Sequence, residues 1–366
     1  MLKAIQKIIV FHIKKRPVLK KKTLQAIYLY YKIAPSVVGF ITRIPAYFMH
    51  LVNSKVIAEP GTLSFGGGVF NPGALALDKN NILLLAKSQI MPWFKAEGIN
   101  RKYYLEGNPI VFLLDKNSLK TKHSSVISDF TGYPNNDDYA IEDLRLFNWR
   151  GKKMINHSFL TKSRVDGYTN LKSVTSALSI FDENKKTLRF CAMPKLDFPV
   201  REFEKNWVYK ENGAQLFLFY SVNPYKVLDL QEEENLAFKT IINQQLHSKI
   251  NDPGGFGSMV SFSTNPIDFD DHHWLIIIHQ IENKFTGRCY FHWAMLIDKI
   301  TLLPVKITSK PIFSGMGARG RNPGIRYISS ILKIENEILF FAGEGDVYVT
   351  VTKKKILELQ SLFVAI

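Results

Sequence analysis

The chemically most suggestive stretch of the chain is Glu142-Asp143-Leu144-Arg145, which follows the turn-forming run Gly132-Tyr133-Pro134-Asn135-Asn136-Asp137-Asp138. Two adjacent acids followed by an arginine open an apolar, strand-like segment. On a regular strand successive side chains point to opposite faces, so Glu142 and Asp143 should diverge while Asp143 and Arg145 share a face. A carboxylate beside a guanidinium is held ionised, or poised to move a proton once substrate displaces water. A surface ion pair at a strand start is the alternative reading of these residues alone.

Other polar signals stand at comparable places. Phe70-Asn71-Pro72-Gly73, Glu204-Lys205-Asn206-Trp207, Gly254-Gly255-Phe256-Gly257 and Arg321-Asn322-Pro323-Gly324 are spaced, with the acidic motif, roughly 50 to 70 residues apart. Between them lie short apolar, β-branched and aromatic runs broken by turn residues, such as Asp78-Lys79-Asn80, Asp182-Glu183-Asn184 and Asn265-Pro266. No helical period persists after residue 60. Many short strands with regular turns point to an all-β sandwich, barrel or propeller. Five similar blocks fit a five-bladed β-propeller over residues 59–366, in which strand starts distant in sequence converge at one mouth.

The composition agrees. Of 366 residues 46% are apolar and 13% aromatic, enough for a large core and for a site that stacks sugar rings. Cys191 and Cys289 sit in apolar runs without metal-type spacing and read as core residues. The net charge is +16, yet residues 1–58 hold eleven Lys or Arg and no acid, leaving only +5 for the rest. This basic, aromatic-rich N-terminal extension, expected to be helical, fits the interface of an anionic membrane better than a bilayer span. Lys32, Pro35, Arg43 and Pro45 interrupt its longest apolar stretch. No recognition module follows the basic region, so nucleic acid is not an expected partner. A secretory signal does not fit either, which makes a cytoplasmic, membrane-peripheral location the expectation.

The motifs Asn71-Pro72-Gly73, Glu142-Asp143-x-Arg145, Glu204-Lys205-Asn206-Trp207, Tyr220-Ser221-Val222-Asn223-Pro224, Ile278-His279-Gln280 and Gly343-Glu344-Gly345-Asp346 occur in an order that resembles glycoside hydrolase family 130. They equally resemble the related glycosyltransferase family 108. The resemblance spans roughly residues 60–355 and implies a five-bladed propeller acting on β-mannosides by phosphorolysis, hydrolysis or mannosyl transfer. It implies that Asp143 is the proton-transfer residue, working through the sugar's 3-hydroxyl. Asn71, Glu142, Arg145, Asp346 and His279 then line the sugar subsite, and Lys205 and Asn206 stand near an incoming phosphate.

The chain also departs from that pattern. Leu144 replaces a proline, and Glu344 and Gly345 replace alanines before Asp346. Lys87 stands where phosphorylases have an arginine, and Tyr225 where they have a phosphate-binding histidine. A point charge and a neutral phenol recognise free phosphate less well than the groups they replace. The expectation is therefore a mannosyltransferase in surface-glycan synthesis, using a nucleotide-activated sugar donor and a glycan acceptor and needing no cofactor. Lys87, Tyr225 and the loop arginines Arg319 and Arg321 are the candidates around the departing diphosphate. Phosphorolysis or hydrolysis of β-mannosides is the alternative, and a non-catalytic carbohydrate-binding propeller a further one. Asp268-Phe269-Asp270-Asp271-His272-His273 has metal-ligand residue types in turn-rich sequence and is read as a turn, with no metal expected.

Overall fold

A computed structural model describes residues 54–59, 68–88, 108–133, 139–165, 168–284, 287–315, 318–319 and 324–366. The chain is all-β and propeller-like. Among the described residues the strands form five sheets, joined mainly by antiparallel neighbours in sequence order. Each sheet begins with a strand that carries or directly follows a site motif. These inner strands are Val69–Ala76, Tyr139–Trp149, Val208–Asn212, Val260–Phe262 and Arg326–Ile334.

Both faces of each sheet are covered, and the sequence shows why. In the strand His273–Lys284, Ile276 and Ile278 enter the apolar layer shared with the preceding sheet. Leu275 and Ile277 enter the layer shared with the following one. A strand buried on both sides reads as a continuous apolar run because each face takes every second residue. The same division sends Leu83 and Leu85 one way and Ile82 and Leu84 the other. Leu216 and Leu218 are likewise separated from Phe217 and Phe219. Five apolar layers join the sheets in cyclic order, the last being shared by the final sheet and the first.

The ring is closed by the N-terminal part of the chain. Lys55–Ala58, which the sequence groups with the basic extension, is a strand paired with Tyr348–Lys355 at the outer edge of the last sheet. The C-terminal strand Phe363–Ala365 likewise pairs with Pro304–Thr308 of the preceding sheet. Residues 1–53, on which the helical and membrane expectations fall, lie outside the described residues. Among the described residues no helix is long and apolar enough to cross a membrane.

Candidate active site

Local backbone geometry concentrates where the sequence motifs meet. The ladder of Val69–Ala76 with its neighbour shifts register between Phe70 and Gly73, and that of Tyr139–Trp149 between Glu142 and Arg145. Asn71 (φ 50°) and Asp143 (φ 53°) sit at these bulges in the left-handed region, as do Asn206 (φ 67°) and Asp346 (φ 60°) elsewhere in the site. Asn and Asp tolerate that region better than other side-chain-bearing residues, and a bulge re-aims a side chain that the pleat would send elsewhere. The inner strands also approach closely: a Cβ added at Gly73 would lie 2.5 Å from the Leu144 carbonyl oxygen.

The bulge overturns the simple alternation. Instead of diverging, Glu142 and Asp143 both reach Lys205, whose Nζ lies 3.4 Å from Glu142 Oε2 and 3.8 Å from Asp143 Oδ2. Asn71 Nδ2 donates to Asp143 Oδ1 (2.7 Å), and Ser158 Oγ donates to Oδ2 (3.3 Å). The fully buried Lys87 pairs with Glu142 Oε1 from the other side. Burial works to raise the Glu142 pKa, but Lys87 and then Lys205 outweigh it and hold the group at about 2. Burial likewise opposes the charge on Lys205, while Asp143 and Glu142 more than reverse that and raise its pKa. The result is an alternating row, Lys87–Glu142–Lys205–Asp143, whose two acids are both within reach of one partly exposed ammonium.

Arg145 does not pair with the Asp143 carboxylate. Its Nη1 donates to the Asp143 main-chain oxygen (3.1 Å), Nε to the Ser263 carbonyl (2.7 Å) and Nη2 to Asn206 Oδ1 (3.2 Å) and the Tyr327 hydroxyl. Tyr327 in turn donates to Asn206 Oδ1 (3.0 Å). Arg145 thus ties together residues from four sheets or the loops beside them. His279 lies in the same layer, with Nδ1 2.8 Å from Ser263 Oγ and its ring stacked on Tyr290 at 5.6 Å and edge-on to Tyr327 at 5.2 Å. Burial and then the Arg145 charge lower its pKa to about 3, so it is a neutral imidazole. Tyr290 feels both aspartates: burial first, then the charge of Asp346 and, more weakly, that of Asp143 push its phenol pKa up. Asp346 occupies the second central position of the tight turn Glu344-Gly345-Asp346-Val347, closed by Val347 N–H donating to Glu344 O (3.1 Å).

Of the residues singled out in the sequence, Asn71, Lys87, Glu142, Asp143, Arg145, Lys205, Asn206 and His279 are joined by direct contacts or one shared neighbour. Tyr225 is not among them. Its side chain is fully buried in the layer between the third and fourth sheets, and its hydroxyl donates to Leu302 O (2.7 Å). Its strand begins at this residue and turns it into the core. Arg319 is also committed elsewhere, donating through Nη1 to Ser54 Oγ (2.6 Å) and through Nη2 to Ser54 O (3.1 Å), with Glu344 3.5 Å away. Arg321 lies outside the described residues. In the Asp268–His273 segment, Asp268 takes Lys210 and Lys299, and Asp270 accepts from His273.

Ser158, Ser263, Tyr290 and Tyr327 belong to the site without having stood out in the sequence. Tyr327 was findable as a polar residue opening an inner strand after the turn-forming residue types of Asn322-Pro323-Gly324. Tyr290 carried no signal, being an aromatic within the apolar run Cys289–Ile297.

No known protein family's profile matches the chain, and no curated protein is significantly similar to it. Solved structures share its fold. β-1,2-Mannobiose phosphorylase from Listeria innocua is 14% identical with a TM-score of 0.54, over 84% of this chain and 92% of its own. MPT-1, a GDP-Man-dependent mannosyltransferase from Leishmania mexicana, is 9% identical with a TM-score of 0.54, over 86% and 93%. MPT-4, a mannose phosphorylase from the same organism, is 11% identical with a TM-score of 0.55, over 89% and 96%. The chain thus has the fold of these mannoside phosphorylases and this mannosyltransferase, as the motif resemblance implied.

Proposed function

We propose that the protein is an inverting mannosyltransferase built on five blades, one for each sheet, which transfers mannose from an activated donor to a glycan acceptor. The observation that carries this reading is the Asp143 carboxylate, aimed by a left-handed bulge and held by Asn71, Ser158 and Lys205. A carboxylate so fixed can accept the proton of an acceptor hydroxyl, directly or through a sugar hydroxyl. As the acceptor oxygen bonds the anomeric carbon, the donor phosphate oxygen departs with the bonding pair. Arg145, Asn206, Asn71 and Asp346 supply donors and acceptors of the kind that hold sugar hydroxyls, and Lys205 is a cation on which developing phosphate charge can rest.

Transfer is favoured over phosphorolysis by the cation inventory. Lys87, which stands where phosphorylases have an arginine, is spent on Glu142, and Tyr225, which stands where they have a phosphate-binding histidine, is in the core; Lys205 is the site cation that would serve a phosphate in either reading. The phosphorylases of the same fold, from Listeria and Leishmania, support the second reading, phosphorolysis or hydrolysis of β-mannosides. The basic residues of the extension support action at an anionic, cytoplasmic membrane surface in surface-glycan synthesis.

The test is a product assay with the full chain. Nucleotide-mannose donors with mannoside acceptors should give an elongated glycan, while mannobiose with and without phosphate should remain intact. Mannose phosphate or free mannose from mannobiose would replace transfer by the second reading. Co-flotation with anionic but not neutral vesicles tests the membrane part.

A further inference from the structure

Two residues before Asp346, Glu344 is a fully buried carboxylate at the end of Glu337–Glu344. Its Oε1 accepts from Ser54 Oγ (3.0 Å), Thr350 Oγ1 (3.1 Å) and Arg326 Nε (3.2 Å), and its Oε2 from Arg319 N–H (3.0 Å). Ser54 Oγ in turn accepts from Arg319 Nη1, so serine, arginine and glutamate form a closed triangle. Burying an ionised carboxylate is tolerable only when such partners surround it, and removing one leaves the others strained rather than neutral.

The position of the cluster matters more than its strength. Glu344 is the first residue of the turn Glu344-Gly345-Asp346-Val347, in which Gly345 (φ 59°) and Asp346 (φ 60°) are both left-handed. The strands pair Glu344 with Tyr348 across this three-residue loop, and while glycine takes the left-handed region freely, an aspartate enters it at some cost. The turn is braced by Gly345 N–H on Ile325 O (2.7 Å) and by the close approach of Gly68 to Asp346 O. Arg326, on the other side of Glu344, precedes Tyr327, the hydroxyl partner of Arg145 and Asn206. Ser54 directly precedes the ring-closing strand Lys55–Ala58, near the end of the basic extension.

We propose that Glu344 is a positioning residue, and that the Ser54–Arg319–Glu344–Arg326 cluster couples seating of the N-terminal strand to the placement of Asp346 and Tyr327 in the site. This deepens the sugar-transfer reading, on which its kinetic arm rests, and its structural arm is independent of that reading. With Ser54 unseated, the carboxylate loses one donor and the Arg319 guanidinium two acceptors, and the turn carrying Asp346 is freed while the apolar layers stay intact.

The experiment is hydrogen exchange of the full chain, wild type against Ser54→Ala and Thr350→Val, with sugar kinetics in parallel. Ser54→Ala lies at the rim and leaves the core unchanged, so it reports even where Glu344→Gln fails to fold. The expected result is exchange faster by about tenfold in the segment 343–348 for Ser54→Ala, with the segment 274–281 unchanged. In kinetics, KM for the sugar should rise by about tenfold with kcat within about threefold, the split expected when ground-state and transition-state binding are lost together. Thr350→Val, which removes one donor but leaves Ser54 and Arg319 joined, should produce less than half of either effect. Unchanged exchange in 343–348, or a uniform acceleration across all sheets, overturns the coupling whether or not the protein turns over a sugar. Altered exchange with no sugar turnover by the wild type on any donor leaves the coupling standing and removes the transferase reading instead.

Discussion

Asp143→Asn separates catalysis from structure more sharply than any other single change. Asparagine is nearly isosteric, and its Oδ1 can still accept from Asn71, as Asp143 Oδ1 does at 2.7 Å. What changes is the other terminal atom, now an amide donor facing Lys205 Nζ and Ser158 Oγ, which stand 3.8 and 3.3 Å from Oδ2. Lys205 is 42% exposed, so losing its attraction to this carboxylate costs the fold only about 1 kcal/mol. Losing the proton acceptor should instead slow turnover by about 10²- to 10⁴-fold, or about 3 to 5 kcal/mol in the barrier. The assay is initial-rate kinetics on the reaction the wild type performs, with thermal unfolding of both proteins under the same buffer. The expected outcome is a kcat loss in that range, KM within about threefold and a melting temperature lowered by only a few degrees. A variant within tenfold of wild type on its own reaction, or one whose rate loss is matched by unfolding, refutes the role given to Asp143.

Other expectations follow from the same geometry. Lys205→Met should cut kcat/KM by about 100-fold, most strongly for substrates bearing phosphate, because it removes the exposed cation between two acids; steady-state kinetics with phosphate-bearing and phosphate-free substrates checks this. Gly73→Ala forces a Cβ within 2.5 Å of the Leu144 main-chain oxygen and should cost about 3 kcal/mol, read from denaturant unfolding. Gly213→Ala, at a turn with φ +61° and nothing within 4 Å, should cost only about 1 kcal/mol in the same assay. Burial lowers the His157 pKa from 6.5 to about 4, so below pH 6.5 the unfolded chain takes up a proton that the folded chain refuses. Stability should therefore fall as pH drops from 6.5 toward 4, by about 3 kcal/mol from this residue, and His157→Gln should flatten that limb of a pH–unfolding profile. Glu142, held at about 2 against an ordinary 4.5, should contribute a separate loss as pH falls from 4.5 to 2.

The sheets were legible because strands buried on both faces write themselves as unbroken apolar runs, as Leu275-Ile276-Ile277-Ile278 does. The site was legible where polar residues open inner strands. Asn71, Asp143, Asn206 and Asp346 are all Asn or Asp, the types that accept the left-handed backbone found there. The bulge between Glu142 and Arg145 was not legible, since period-two reasoning cannot see an extra residue that re-aims the next side chain. The resemblance puts Tyr225 at a phosphate-binding position, but correspondence along the chain does not show which face its strand turns inward. Arg319 reads as an available cation because its partners, Ser54 and Glu344, lie 265 residues upstream and 25 residues downstream. Pairings at that separation leave no local trace.

The pairing of Lys55 with Val351 sets an order of events during synthesis. Until the ribosome has released the last hairpin, Lys55–Ala58 has no edge to latch onto, and the first and final sheets cannot share their apolar layer. A nascent polypeptide of this design carries unpaired β edges for nearly the whole of its translation. Expression host, temperature and chaperone supply should therefore govern soluble yield more than the equilibrium stability of the finished ring.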